Sequence, residues 1–259
     1  MPESNWSPNP RQLALLEEVR ARGAVSVERL AQRLDVTMQT VRRDVQRLAD
    51  ANLLVRFHGG VSLPREPVKV AAWKERQALR ADAKARIARS VAAAIPNGST
   101  LMLGIGTTVE AVARELAGKT GLRVITHNLH VASLLSEHSD CKVHVAGGML
   151  RGRDSALEGD GTVAFLKQFK VDFSILSTVG IDADGTLRDR DMREAPVAQA
   201  MVEQARESWL VADMSKFTTS ELAAVGHLKL LKRVFTDALP PAPYPAMLLE
   251  WGVGLTIAG

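Results

Sequence analysis

Short apolar runs that end in glycine or polar residues recur through the last two thirds of the chain. They lie at residues 101–103, 122–125, 142–146, 172–176, 209–212 and 233–235. Consecutive runs can pair as parallel strands only if a long connection, usually a helix, crosses over between them, and helix-like segments are available for this. The sequence therefore predicts an α/β domain over residues 83–259, with a mostly parallel sheet and helices on its faces.

The loops that follow these predicted strands carry candidate ligand-binding residues, because ligands of open α/β sheets bind outside the carboxyl ends of the strands. Residues 104–108 read Gly-Ile-Gly-Thr-Thr, in which glycines let backbone N–H groups approach an anion and hydroxyls add donors. Lys216 and Arg151, each just beyond a strand end, would supply positive charge from other loops. This pattern predicts a phosphate site.

The same glycine-rich segment also has a purely structural interpretation. Thr107 and Glu110 have the Thr-x-x-Glu spacing of a capping box, which would explain both residues as the start of a helix. The two interpretations stay open on the sequence alone. His127 and His130 suggest a metal site, but no third ligand at suitable spacing accompanies them, so no metal or cofactor is expected.

Residues 37–50 predict a helix with one apolar and one polar face. At about 100° per residue, Val41, Val45 and Leu48 fall on a single stripe. The opposite side carries Gln39, Arg42, Arg43 and Gln46. Arg and Gln can make paired hydrogen bonds to guanine and adenine edges, and Thr37 can cap the end that would point into the major groove.

The surroundings of this helix indicate a winged helix-turn-helix domain at residues 1–63. Two predicted helices precede it, the first beginning near Pro10 and the second capped by Ser26. Two short predicted strands follow it around Gly59 and Gly60. Residues 1–65 hold ten Lys and Arg against seven Asp and Glu, so their net charge of +3 accounts for most of the chain's +4.

Composition limits the remaining possibilities. A chain of 259 residues with 46% hydrophobic content can hold one large core and a small second domain. Residues 64–82 are expected to be a linker and connecting helix, within a segment that is largely helical from residue 73 to 95. A single cysteine, Cys141, excludes an intrachain disulfide, and no apolar run approaches ~20 residues. We therefore expect a cytoplasmic protein without membrane contact.

Two stretches of the N-terminal part resemble the signature of the DeoR family of bacterial transcriptional repressors. They are residues 36–44, Val-Thr-Met-Gln-Thr-Val-Arg-Arg-Asp, and residues 56–60, Arg-Phe-His-Gly-Gly. The segments 106–108, 180–185 and 213–217 resemble the sensor domain of the same family. The pattern is most similar to the branch that represses glycerol-3-phosphate regulons.

The resemblance implies a fold similar to ribose-5-phosphate isomerase, an oligomeric repressor (dimer or tetramer) and release from operator DNA by a phosphorylated sugar or polyol. Glycerol 3-phosphate is our first expectation for this effector. The predicted DNA contacts are Thr37, Gln39, Thr40, Arg42, Arg43, Gln46, His58 and Gly59. The predicted effector contacts are Gly106, Thr107, Thr108, Thr126, Asn128, Gly147, Gly148, Arg151, Asp182 and Lys216.

The alternative hypothesis is a sugar-phosphate isomerase-type enzyme with an added helical domain. Such chemistry needs a carboxylate base and a donor that steadies the developing enediolate. The isomerases that the chain resembles place a lysine in the loop that corresponds to residues 187–191, and here that segment reads Leu-Arg-Asp-Arg-Asp. The missing lysine favours a sensor, and no catalytic residue is expected.

Overall fold

The computed structural model describes residues 8–22, 24–51, 53–57, 60–62, 73–138, 140–152 and 154–259. The chain divides into two compact units, residues 1–71 and residues 72–259. Within the described ranges, none of the helices combines the length and the apolar character needed to cross a membrane.

The N-terminal unit is a helix-turn-helix with a small antiparallel sheet. Its described elements are α1 (Pro10–Arg22), β1 (Ala24–Ser26), α2 (Val27–Arg33), α3 (Met38–Asp50), β2 (Val55–Phe57) and β3 (Gly60–Ser62). The strand order is β1-β3-β2. The predicted winged helix is confirmed, and β1, which the sequence did not predict, extends the hairpin to three strands. A core that includes Leu15, Leu30, Val41 and Leu48 joins the three helices.

The C-terminal unit contains the predicted α/β sheet. Its helices are α4 (Trp73–Ala78), α5 (Ala81–Ala94), α6 (Thr107–Leu116), α7 (Leu129–Ser136), α8 (Asp160–Leu166), α9 (Glu194–Glu203) and α10 (Tyr244–Glu250), and short 3-10 helices lie at Met214–Thr218 and Leu228–Leu230. Its strands are β4 (Thr100–Leu103), β5 (Arg123–Thr126), β6 (Lys142–Val145), β7 (Met149–Arg151), β8 (Ala156–Glu158), β9 (Val171–Leu176), β10 (Gly180–Ile181), β11 (Thr186–Asp189), β12 (Ala205–Val211), β13 (Ala223–His227), β14 (Arg233–Thr236) and β15 (Gly254–Ile257).

Among the described residues, seven of these strands form one parallel sheet in the order β15-β14-β12-β9-β4-β5-β6. Neighbouring residues of a strand point to opposite faces. On β4, Met102 belongs to one hydrophobic cluster, whereas Leu101 and Leu103 belong to the other. The sheet is therefore buried on both faces, which confirms the predicted α/β class.

The main difference from prediction lies at the start of the C-terminal unit. The segment expected to be largely helical from residue 73 to 95 forms α4 and α5, which are separated where Arg80 adopts a left-handed conformation with φ 54°. Both helices lie within the compact unit that begins at residue 72, whereas the sequence predicts a linker and connecting helix over residues 64–82. At the other end of the unit, α10 precedes β15, the edge strand of the sheet.

Candidate DNA-reading helix and effector pocket

Helix α3 separates an apolar from a polar face, as its sequence predicts. Val41, Val45 and Leu48 are buried in the core of the N-terminal unit. The polar face exposes Gln39, Arg42, Arg43, Gln46 and Arg47. Neither Arg42 nor Arg43 forms an ion pair within the part of the chain that the structure describes, so both guanidinium groups are available to a partner.

Asp44 fixes α3 against α1, a role that the sequence did not reveal. Its buried carboxylate accepts hydrogen bonds from Arg11 Nε at 2.6 Å and from Gln12 Nε2 at 3.0 Å. Burial alone would raise the pKa of Asp44, but the hydrogen bonds and the charge of Arg11 hold it below its ordinary value. Arg11 and Gln12 are more than 30 residues from Asp44 along the chain, so no local sequence pattern predicts these hydrogen bonds.

Of the other predicted DNA contacts, some already form hydrogen bonds within α3 and some lie outside the described residues. Thr37 caps α3 by accepting from the Thr40 backbone N–H at 3.2 Å, and the two hydroxyls also bond to each other. Gln46 donates to Asp50 Oδ1 at 2.7 Å, so its amide is partly engaged within the helix. His58 and Gly59 lie outside the described residues.

A pocket of about 140 Å³ lies in the C-terminal unit at the carboxyl ends of β4 and β9. Its wall includes Gly106, Thr107 and Thr108 at the start of α6, together with Lys216. These are four of the ten predicted effector contacts. The remaining wall is formed by Trp73, Arg76, Leu79, Lys84, Ile105, Glu110, Asp154, Ser177, Thr178, Val179, Asp189, Arg190, Asp213 and Ser215.

The start of α6 is shaped to receive an anion. Gly106 is the N-cap with φ 109°, and a Cβ there would lie 2.3 Å from Ser177 Oγ, so glycine is required on both counts. No side chain caps this helix. The first N–H groups of a helix have no partner within it, and they carry the positive end of its dipole. They are therefore available to an anion in the pocket.

The capping-box interpretation of this segment is wrong. Gly106, rather than Thr107, is the N-cap of α6. The Glu110 carboxylate instead accepts hydrogen bonds from Trp73 Nε1 at 2.9 Å and from Gln77 Nε2 at 3.1 Å, both on α4. Glu110 therefore holds α4 against α6, while Thr107 and Thr108 line the pocket and the Thr107 hydroxyl donates to the Arg76 carbonyl at 3.4 Å.

Two lysines bring positive charge to the pocket wall. Burial lowers the pKa of Lys216, and burial lowers the pKa of Lys84 on α5 to about 8. The Lys84 ammonium donates to the backbone carbonyl of Arg76 on α4. Among the described residues neither lysine forms an ion pair, so an anion in the pocket would compensate both charges.

The pocket also contains carboxylates, but they are engaged by the protein itself. Asp213 accepts from the Ser215 N–H and hydroxyl at 2.9 and 2.6 Å and pairs with Arg80 at 3.1 Å. Asp189 accepts from the backbone N–H groups of residues 190 and 191. These contacts offset the negative charge that would otherwise repel an anion.

Arg151, predicted to contact the effector, lies instead in a buried ion-pair network. Its guanidinium pairs with Asp154 at 2.8 Å, with Glu158 and Asp191 at 3.3 Å, and with Glu194. Burial raises the pKa of Glu194 to about 7, although the charge of Arg151 opposes this. Arg151 is absent from the pocket wall. The role of Arg151 as an effector contact stays a prediction, and its ion-pair network indicates a structural role instead.

Thr126 and Asn128 brace the glycine-rich loop from behind instead of facing the pocket. Thr126 Oγ1 donates to the Leu103 carbonyl at 2.7 Å, and Asn128 Nδ2 donates to the Gly104 carbonyl at 3.4 Å. The Asn128 side chain also caps α7. Both residues are fully buried, so they position the loop and do not reach the pocket wall.

Gly147, Gly148 and Asp182 also stand outside the pocket wall. The Gly147 carbonyl accepts a hydrogen bond from Thr162 Oγ1 at 2.8 Å. A Cβ on Gly148 would lie 2.3 Å from Thr162 Oγ1. Asp182 pairs with Arg188 at 2.6 Å. These residues pack loops together, and their assignment as effector contacts stays a prediction.

The sequence missed the part of the pocket wall that comes from α4 and α5. Trp73, Arg76 and Lys84 precede the first strand of the sheet, whereas the prediction looked for ligand contacts after strand ends. Their Ala-, Lys- and Arg-rich context is also typical of a solvated helix. No group of three or more metal-ligating side chains is present in the described ranges.

Comparison with known families decides what this architecture belongs to. The DeoR-like helix-turn-helix domain matches residues 11–66, and the DeoR C terminal sensor domain matches residues 79–238, more than half of the chain. The chain belongs to the DeoR family.

Three relatives of this DeoR-family chain extend over nearly its whole length. The glycerol-3-phosphate regulon repressor of Escherichia coli K12 is 41% identical and covers 95% of this chain and 98% of its own. The repressor of the same name in Haemophilus influenzae is 40% identical over 89% of both chains. The HTH-type transcriptional repressor CsqR of E. coli K12 is 39% identical over 93% and 92%.

These relatives are named as repressors, and this chain itself matches the DeoR-like helix-turn-helix domain, so this DeoR-family chain is a repressor rather than an enzyme. The isomerase-type alternative is thereby set aside. Among solved structures, ribose 5-phosphate isomerase A from Methanocaldococcus jannaschii overlaps 53% of this chain and 54% of its own, with 16% identity and a TM-score of 0.39.

Proposed function

We propose that this repressor controls a carbohydrate or polyol catabolic operon, binds its operator through α3, and leaves it when a small phosphorylated polyol or sugar enters the pocket beside α6. The observation that carries the effector class is the uncapped start of α6, which lines the same pocket as the buried Lys84 and the partly buried Lys216, two lysines that lack ion-pair partners among the described residues. Fixed N–H donors and desolvated ammonium groups together suit a phosphate group.

The size of the pocket favours a small effector. Sites for drug-sized ligands enclose roughly 300–1,000 Å³, whereas this cavity encloses about 140 Å³. Glycerol 3-phosphate is our first candidate, because it is the smallest polyol phosphate that carries several hydroxyls, and because the relatives quoted above are named for its regulon. The location implied by action on chromosomal DNA is the cytoplasm.

Helix α4 is our candidate for the link between pocket and operator. It is the first described element of the C-terminal unit, which begins at residue 72. The backbone carbonyl of Arg76 on α4 accepts from Lys84 and from the Thr107 hydroxyl, the latter at 3.4 Å. A phosphate group would compete for these same donors. Effector binding would thereby weaken the hydrogen bonds that fix the carboxyl end of α4.

Release requires that the effector bind the operator-free conformation more tightly, since equal affinity for both conformations shifts nothing. We propose that rearrangement of α4 changes the placement of two winged helices in a homo-oligomer, so that both no longer fit their half-sites. One winged helix contacts few base pairs, and paired half-sites would be spaced by about 10–10.5 bp or multiples. A monomer by light scattering on operator DNA would contradict this arrangement.

The test of the effector class combines a thermal-shift screen with operator binding. Phosphorylated three- to six-carbon metabolites are screened against the protein, with glycerol and inorganic phosphate as matched controls. A ligand at ~100 times its Kd should stabilise by roughly 2.7 kcal/mol, visible as a raised midpoint. The same compound should lower operator affinity in fluorescence anisotropy. If no phosphate ester does either, the proposed effector class is wrong.

The exposed arginines of α3 should have different roles on DNA. We expect Arg42→Ala to weaken operator binding by about 1–3 kcal/mol and to relax specificity at one base pair, because Arg42 would read a base edge. We expect Arg43→Ala to weaken binding to all DNA sequences alike, because Arg43 would contact phosphate. The dependence of DNA affinity on salt concentration should become less steep. Both are measured by anisotropy titration on operator and scrambled DNA.

Arg114→Ala is the matched control for this pair, since it removes one positive charge from an exposed position on α6. It should leave operator affinity near that of the parent. If Arg42→Ala and Arg43→Ala behave like Arg114→Ala, α3 is not the reading helix.

A further inference from the structure

A second, smaller cavity of about 30 Å³ adjoins the pocket. Ile105, Ser177 and Asp189 line both spaces, so the two are neighbours behind the glycine-rich loop. The other walls of the small cavity are formed by Gly104, His127, Leu176, Glu194, Val197, Ala198, Met201 and Val225. Its volume matches about one water molecule or one hydroxyl-bearing carbon.

His127 is the unexplained group in this cavity. Its side chain is 1% exposed, and neither Nδ1 nor Nε2 has a hydrogen-bond partner among the residues that the structure describes. A buried polar group without a partner costs roughly 1–3 kcal/mol. Nine tenths or more of such groups in proteins are satisfied, so a buried imidazole that lines a cavity points to a polar occupant there.

The charge state of His127 shows which part of an effector it suits. Burial, followed by the charge of Arg151, lowers the pKa of His127 to about 4. The imidazole is therefore neutral at physiological pH, with one N–H donor and one acceptor nitrogen. A neutral ring offers a phosphate dianion little, whereas a hydroxyl group can donate to it or accept from it. The phosphate group remains with Lys216 and the start of α6.

We propose that this cavity is the hydroxyl subsite of the effector pocket, in which His127 hydrogen-bonds the terminal hydroxyl of the bound polyol phosphate. The inference rests on the proposed function, because the phosphate beside α6 anchors the ligand so that its other end reaches past Ser177. His127 then selects for a hydroxyl group and sets which phosphate esters bind well. Ser177 itself is engaged, since its Oγ donates to the Ile105 carbonyl at 2.7 Å.

The experiment compares two phosphate esters by isothermal titration calorimetry with the full-length protein. Glycerol 3-phosphate carries the terminal hydroxyl, and propane-1,2-diol 1-phosphate is the same molecule without it. We expect the parent to bind glycerol 3-phosphate about tenfold more tightly, the value of one well-made hydrogen bond in a buried site. His127→Leu should abolish this preference while it leaves the affinity for propane-1,2-diol 1-phosphate unchanged.

Met201→Leu is the matched control, because Met201 lines the same cavity without a hydrogen-bonding group of comparable strength. It should keep the preference. The subsite is overturned if the parent shows no preference between the esters, if His127→Leu retains it, or if His127→Leu weakens both esters equally. If neither ester binds the parent, the phosphate pocket itself is wrong and the subsite falls with it. If both bind equally and release the operator, the proposed function stands without the subsite.

Discussion

Lys216→Ala should produce a repressor that stays on its operator at effector concentrations that release the parent. Lys216 lies on the 3-10 helix Met214–Thr218, where Asp213 caps the turn and holds Ser215. Burial lowers the pKa of Lys216, so its ammonium gains from any anion in the pocket. A charge-assisted hydrogen bond is worth roughly 1.5–3 kcal/mol, so effector affinity should fall about 10- to 150-fold.

Operator affinity without effector should remain that of the parent, because Lys216 lies in the C-terminal unit and α3 lies in the N-terminal unit. The measurement is operator anisotropy over an effector titration, with calorimetry for the effector. Lys229→Ala is the matched control, since Lys229 is an exposed lysine on the other 3-10 helix, Leu228–Leu230. If Lys216→Ala responds to effector normally, or no longer binds DNA, Lys216 is not an effector contact.

The sequence predicted well those features that depend on neighbours along the chain. The polarity of α3 follows from helical spacing, and the caps formed by Ser26 and Thr37 lie within three residues of the groups they satisfy. The strand ends follow from apolar runs bounded by glycine. Gly106 could be recognised because its conformation is local, although the Ser177 contact that excludes a side chain there is not.

The sequence could not assign partners to polar residues whose contacts are distant along the chain. Glu110 fits a capping box by spacing, yet its carboxylate binds Trp73, 37 residues away. Arg80 reaches Asp237, 157 residues away, and its left-handed conformation separates α4 from α5, which the local sequence does not indicate. Sequence spacing shows which charged and polar side chains are present. The tertiary structure decides whether such a side chain pairs with another residue of the protein or is left to bind a ligand.

Arg151 is the clearest case of this difference, and it separates the two interpretations by experiment. We expect Arg151→Met to destabilise the C-terminal unit by about 3–5 kcal/mol, because it removes the guanidinium that four carboxylates share, including the buried Glu194, although Glu158 and Asp191 keep Arg193. In a unit of this size each kcal/mol lowers the thermal midpoint by roughly 2–4 °C. Thermal unfolding without effector should therefore show a loss of about 10 °C.

Arg206→Met is the matched control, since Arg206 is 85% exposed and approaches Asp172 no closer than 3.7 Å. It should change stability by less than about 0.5 kcal/mol. If Arg151 were an effector contact, its replacement would give the opposite result. Arg151→Met would then keep the midpoint of the parent without effector and lose the shift that effector produces. Such a result would return Arg151 to the pocket and contradict the network as its main role.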